Sequence, residues 1–223
     1  HVSVLGTSSS FDNSVRRLRL IQSLVPTGEL LDVGAGRGRF MHLAEQAGYR
    51  VTGIEPGEHN RQFAAENFGL SLIPHSVEEF EAGVSYDVVH CSHLLEHVSS
   101  PTAVITRLYD WTRVGGICVI EVPNQFTNVF AVRNRLLHRY PKRPPQVRDV
   151  LHMSFFDLRA LTGLCNRAGF RVVTKGSWYM PGSGASPWRL DYWLTRGVGK
   201  LLWGGMNIYV VARKPSTAEG SSP

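Results

Sequence analysis

Cysteine is scarce: Cys91, Cys118 and Cys165 are the only three in 223 residues. An odd number of widely spaced thiols fits neither a disulfide framework nor a zinc knuckle, and no metal ligand set is assigned. Free cysteines of this kind behave as small buried hydrophobes, and a reducing cytoplasm is the expected compartment. No uninterrupted apolar run is long enough to span a bilayer, and the chain does not open with a charged stretch, an apolar stretch and a small-residue cleavage site. Internal repeats are absent as well. What is present is a globular balance of 43% hydrophobic and 19% charged residues, enough for one sizeable core.

Charge is unevenly spread. The formal net charge is +6, and 124–150 holds Arg133, Arg135, Arg139, Lys142, Arg143 and Arg148 against Asp149, so most of the excess sits in one stretch. That pattern suggests an anionic partner near one loop, and nucleic acid is not the expected partner.

Hydrophobic spacing predicts alternating elements: a helix over 13–25, strand 29–33, helix 37–47, strand 50–55, helix 58–68, strand 70–73, a helical turn at 76–80 and strand 86–92. A helix over 101–114 begins at a proline, where a missing N–H costs nothing, and strand 117–123 follows. A helix over 154–169, with Ser154 as N-cap and Gly169 just past its end, precedes strands at 171–176 and 206–214. Strands alternating with helices argue for a parallel sheet covered on both faces. Residues 1–12 read as a flexible N-terminal segment, 13–214 as one domain with substrate or lid insertions near 124–151 and 177–205, and 215–223 as a disordered tail.

The informative stretch is LLDVGAGRGRF at 30–40. Glycines at a strand's end let a ligand approach the backbone, and the following helix offers unpaired N–H groups there. Gly34, Gly36 and Gly38 lack the G-x-G-x-x-G spacing of a dinucleotide loop, and no Gly-Lys-Ser/Thr follows as in a phosphate loop. Asp32, two residues before the first glycine, would repel a pyrophosphate and attract an ammonium or sulfonium. Glu55 ends the second strand, in the position from which a carboxylate accepts both ribose hydroxyls. A ribose and a positive charge together describe S-adenosylmethionine.

With G-I-E-P at 53–56, Y-D-V-V-H-C-S-H-L-L-E-H-V at 86–98, V-G-G-I-C-V-I-E-V-P-N at 114–124 and H-M-S-F-F-D-L-R-A-L-T-G-L-C-N-R-A-G-F at 152–170, the chain resembles class I S-adenosylmethionine-dependent methyltransferases. The likeness is to the small-molecule group that includes ubiquinone-biosynthesis-type O-methyltransferases and sugar or natural-product methyltransferases. It implies an α/β, Rossmann-like class I methyltransferase fold, with a seven-stranded, mostly parallel sheet flanked by helices and an antiparallel last strand. It also implies S-adenosyl-L-methionine as cofactor and S-adenosyl-L-homocysteine as product. On the positions that match, Asp32, Gly34, Ala35 and Gly36 would line the methionine moiety, beside Gly38 and Phe40, and Glu55 would hold the ribose. Pro56 and the turn His75, Ser76, Val77 would flank the adenine, and Cys91, Ser92 and His93 would pass near the methionine carboxylate or the sulfonium.

Methyl transfer from a sulfonium is an in-line displacement, so the protein mainly positions the nucleophile; a base is optional for an amine and useful for a hydroxyl. His93, His97 and His152 are the candidate catalytic residues. Cys-Ser-His-Leu stands where enzymes acting on exocyclic base nitrogens carry Asp/Asn-Pro-Pro-aromatic, which tells against nucleic-acid substrates. The expected reaction is methylation of a small-molecule acceptor, oxygen before nitrogen or carbon, on an apolar or anionic metabolite. An NAD-dependent oxidoreductase and a non-catalytic S-adenosylmethionine-binding scaffold are the alternatives. Phe126, Val129, Phe130, Leu136, Leu137 and Tyr140 in the first insertion, and Trp188, Trp193 and Trp203 in the second, suit an apolar lid or dimer surface; peripheral membrane contact is the other reading. Monomer and homodimer both remain open.

Overall fold

The computed structural model describes residues 8–124, 153–178 and 207–216. In chain order the elements are α1 (Ser8–Leu24), β1 (Glu29–Val33), α2 (Arg39–Gln46), β2 (Arg50–Ile54), α3 (Glu58–Phe68), β3 (Tyr86–Ser92), α4 (Pro101–Trp111), β4 (Thr112–Pro123), α5 (Leu158–Arg167), β5 (Arg171–Trp178) and β6 (Asn207–Arg213). Among the described residues the six strands form one sheet in the order β2-β1-β3-β4-β6-β5. Neighbours from β2 to β4 run parallel, and β6 runs antiparallel to both β4 and β5.

Period-two alternation places the core on both faces of this sheet. Leu31, Val33, Val89, Cys91, Cys118 and Ile120 face α4 and α5, where Ile105, Leu108 and Leu161 complete one apolar layer. Leu30, Val88, Ile117, Val119 and Val211 face the other way, onto Leu18 and Ile21 of α1 and Phe40 and Ala44 of α2. All three cysteines are buried and unpaired in disulfides. Burial raises their thiols, that of Cys165 to about 12, so they are inert apolar fillers.

Four boundaries differ from the expectations. The first helix starts at Ser8 rather than at 13. The strand expected at 70–73 reduces to a single parallel bridge, Ile54 to Ile73, so the described sheet has six strands where seven were expected; Pro74 follows at once, and Ser71 faces solvent. The helix expected to reach 114 stops at Trp111 and passes directly into β4. Asp157, not Ser154, caps α5: its carboxylate accepts from Ala160 N at 2.6 Å, and the chain from 153 to 157 is neither helix nor strand. Among the described residues no helix is long and apolar enough to cross a membrane. His152 and nearly all of the two insertions lie outside the described residues.

Candidate active site

The parallel strands bring the predicted residues to one edge, the carboxyl ends of β1, β2, β3 and β4. Residues 32 of β1, 90 and 92 of β3, 121 of β4 and 207 of β6 all fall on the α1–α2 side by alternation, and their side chains there are polar. The polar site is therefore a continuation of the apolar layer beneath it, at the edge where open α/β sheets bind ligands.

At the donor end, the backbone N–H groups of Gly34 and Ala35 both reach the Ile54 carbonyl at 3.0 Å, which ties the loop to the end of β2. Glu55 comes next in the chain and is buried. Its Oε2 accepts from Gly36 N at 2.9 Å, while Oε1 accepts from Gly57 N at 2.9 Å and Asn60 Nδ2 at 3.1 Å. These donors fix the carboxylate at the mouth of the glycine turn, and two oxygens with four lone pairs keep acceptor capacity for hydroxyl groups. Gly36 has φ +53°, and a Cβ built there would meet nothing within 4 Å, so its side of the turn is open. Gly38 differs: at φ +72° its Cβ would lie 3.0 Å from both Ala64 and Leu70, so this glycine serves close packing of α2.

Asp32 does not stand free. Its Oδ1 lies 2.6 Å from Nδ1 of His90, which faces it across the β1–β3 ladder, and both side chains are buried. The His90 ring stacks on Phe40 at 3.8 Å between centroids. Phe40 thus backs the His90 ring and is sealed in the core, and the guanidinium of Arg17 lies 5.7 Å from its ring centroid.

At the other end of the edge, His93 is the one non-glycine residue with positive φ among those described, at +56°. A backbone angle of this kind costs on the order of 1 kcal/mol or more and is held only where surroundings impose it. Here the His93 N–H bonds the Glu121 carbonyl at 2.9 Å, which turns the chain off β3. The imidazole is 43% exposed. Behind it, Nδ1 lies 3.3 Å from Oε1 of Glu96, and Nε2 lies 3.5 Å from Oε1 of Glu121 and 3.1 Å from Asn207 Nδ2. Burial opposes the imidazolium, but hydrogen bonds and charge from Glu121 and Glu96 outweigh it and raise His93 to about 9. His97 is also partly exposed, with Nε2 3.8 Å from the same Glu96 oxygen.

Arg17 of α1 closes this cluster. It is buried, lies 3.0 Å from Glu121 Oε1, and donates to Ser92 Oγ at 2.5 Å and Ser14 Oγ at 3.2 Å. Burial alone would raise the Glu121 carboxyl; the charge of Arg17, then His93 and Asn207, lowers it to about 2.

The structure thus brings Asp32, Gly34, Ala35, Gly36, Glu55, Ser92 and His93 to one edge. Pro56 and His75 are exposed beside it, Ser76 is half-buried, and Val77 belongs to the core. The Cys91 side chain points to the opposite face of the sheet, so only its backbone borders the site. Arg17, His90, Glu96, Glu121 and Asn207 were not anticipated. The signal that could have found them is polarity at strand ends: Glu121 interrupts the apolar run 117–123, and His90 stands between the apolar Val89 and Cys91.

Comparison with known proteins bears on the fold and the family. A family model for the methyltransferase domain matches residues 12–175. A ubiquinone biosynthesis O-methyltransferase from Rickettsia akari is 29% identical, over 61% of this chain and 61% of the relative; the chain thus spans under two thirds of that protein's length. Among solved structures, an S-adenosylmethionine-dependent methyltransferase from Archaeoglobus fulgidus superposes with TM-score 0.65 at 20% identity, covering 91% of this chain and 93% of the other. The N-methyltransferase NodS from Bradyrhizobium japonicum, solved with S-adenosylhomocysteine, gives TM-score 0.65 at 12% identity, covering 95% and 90%. With the family model spanning most of the chain and the strand order, glycine turn and acidic strand ends in place, the chain belongs to the class I S-adenosylmethionine-dependent methyltransferases.

Proposed function

We propose that the protein transfers the methyl group of S-adenosylmethionine to a hydroxyl oxygen of a small-molecule acceptor. The observation that carries this is the pairing, along one strand edge, of a carboxylate fixed at a glycine turn with an exposed imidazole backed by two buried carboxylates. Glu55 at the turn takes the ribose hydroxyls, and the negative charge of Asp32 faces the cationic part of the donor. The acceptor lies over His93. S-adenosylmethionine would supply the methyl group and leave as the neutral thioether, and neutral His93 would take the hydroxyl proton. Most of the rate comes from holding oxygen, carbon and sulfur in line.

The oxygen acceptor is supported by the name of the Rickettsia akari relative. An anionic group on an apolar acceptor is supported by the arginine-rich stretch at 124–150. The test is a panel of phenols, sugars and carboxylates incubated with a carbon-13 methyl donor, following release of S-adenosylhomocysteine and the atom that receives the label. A label on oxygen is expected. A label on nitrogen or carbon would sink the oxygen assignment, and tight NAD binding with no response to S-adenosylmethionine would sink the whole proposal. Comparing an acceptor with its charge-free analogue, in the wild type and in Arg133→Ala/Arg135→Ala, tests the anionic group: it is refuted if neither change alters turnover.

A further inference from the structure

We propose that His90 is a positioning residue of the donor site, holding the Asp32 carboxylate, through an Nδ1–H hydrogen bond, as an anion directed at the cationic methyl donor. The inference rests on the assignment of Asp32 to that donor.

Residues 32 and 90 sit directly opposite one another on neighbouring parallel strands, so their side chains leave the sheet together on the same face. The 2.6 Å separation between His90 Nδ1 and Asp32 Oδ1 is a hydrogen bond in which only the imidazole has a proton to give, because an ionised carboxylate only accepts. The ring has little freedom to turn away. It is buried on the α1–α2 face of the sheet and lies nearly flat on Phe40, 3.8 Å between centroids with 25° between planes.

The other ring nitrogen selects the charge state. Nε2 of His90 is sealed from solvent and has no hydrogen-bond partner among the described residues. An unpaired lone pair in such a place costs less than an unpaired N–H on a cation, so the arrangement favours the neutral Nδ1–H tautomer. The negative charge therefore stays on Asp32 and is not cancelled by its neighbour. Asp32 Oδ2 is bonded to no described residue and is not among the sealed, partnerless atoms, which leaves it for the ligand. A carboxylate held by one oxygen and open at the other is oriented before the donor arrives, and orientation set in advance lowers the cost of binding.

Three substitutions separate this role from packing. His90→Asn places an amide N–H near the position of Nδ1; His90→Gln places it near Nε2; His90→Leu keeps an apolar surface against Phe40 and removes the donor. The leucine and glutamine proteins are expected to bind S-adenosylmethionine and S-adenosylhomocysteine roughly tenfold or more weakly by calorimetry. In kinetics they raise KM for the donor and leave kcat at saturation close to wild type, because the lost interaction serves binding in ground and transition states alike. His90→Asn recovers most of the affinity. If asparagine does no better than leucine, or if leucine retains wild-type affinity, the positioning role is overturned. Asp32→Asn keeps the two failures apart: wild-type donor affinity in that variant removes Asp32 from the donor site, whereas a loss there with none in His90→Leu refutes the inference about His90 alone. Nitrogen-15 NMR of the wild-type protein gives a reading independent of any variant's folding. The proton is expected on Nδ1 of His90, and finding it on Nε2, with a bare Nδ1, would overturn the proposal.

Discussion

His93 and Asp32 are both titratable groups at strand ends, and what stands behind each decides its chemistry. His93 carries two carboxylates at its back, which hold the proton until about pH 9, so at neutral pH it is mostly an imidazolium. As the proton acceptor for a hydroxyl it works only in its neutral form. Turnover at saturating donor and acceptor is therefore expected to climb with pH and level off near 9, and the climb should vanish in His93→Asn, a residue that tolerates the positive φ. A rate that stays flat from pH 6 to 10 in the wild-type protein would remove His93 from proton transfer. The positions of Asp32, Glu55 and His93 were legible in the sequence because each lies within one residue of a strand's end, beside a recognisable turn. Their partners were not. Asp32 and His90 are 58 residues apart and Arg17 and Ser92 are 75 apart, and only the folded sheet makes such pairs neighbours.

At the scale of elements, alternation of strand and helix gave the parallel sheet, whereas boundaries depended on details that periodicity does not carry. The segment 70–73 has the composition of a strand, yet it sits at an edge with proline immediately after it and keeps one bridge. At α5 two residues competed for the cap. Ser154 and Asp157 are both good N-caps by type, and the choice falls to Asp157, whose carboxylate meets Ala160 N and whose negative charge suits the positive end of the helix. Asp157→Ala is expected to lower stability by about 1 kcal/mol in denaturant unfolding, while Ser154→Ala should change it by much less. Equal losses from the two substitutions would show that the cap is shared.

For the whole molecule, the consequential feature is the buried ionic cluster that joins α1 to the sheet. Arg17 comes from the first helix, Glu121 from the central part of the sheet, Asn207 from the last strand and His93 from the site itself. Depression of Glu121 from 4.5 to about 2 means that the cluster's carboxylate contributes stability above pH 4.5 and loses it as pH falls toward 2. Elevation of His93 from 6.5 to about 9 means that its contribution is complete below pH 6.5 and fades as pH rises through 9. These two groups together favour the folded state most between about pH 4.5 and 6.5. Removing one partner exposes the cost of burying the other. Arg17→Met takes from the buried Glu121 its strongest charge partner, leaving His93 and Asn207, and should cost up to about 3–5 kcal/mol at neutral pH. It should also move the acid limb of the stability curve to higher pH, because the Glu121 carboxyl then rises. Arg17→Met with Glu121→Leu removes both charges, and much of the lost stability should return, giving a large favourable coupling in a double-mutant cycle. Thermal unfolding of the four proteins from pH 3 to 10 measures both effects. Additive losses, with the acid limb unmoved in Arg17→Met, would show that the helix is fastened to the sheet by its apolar face alone.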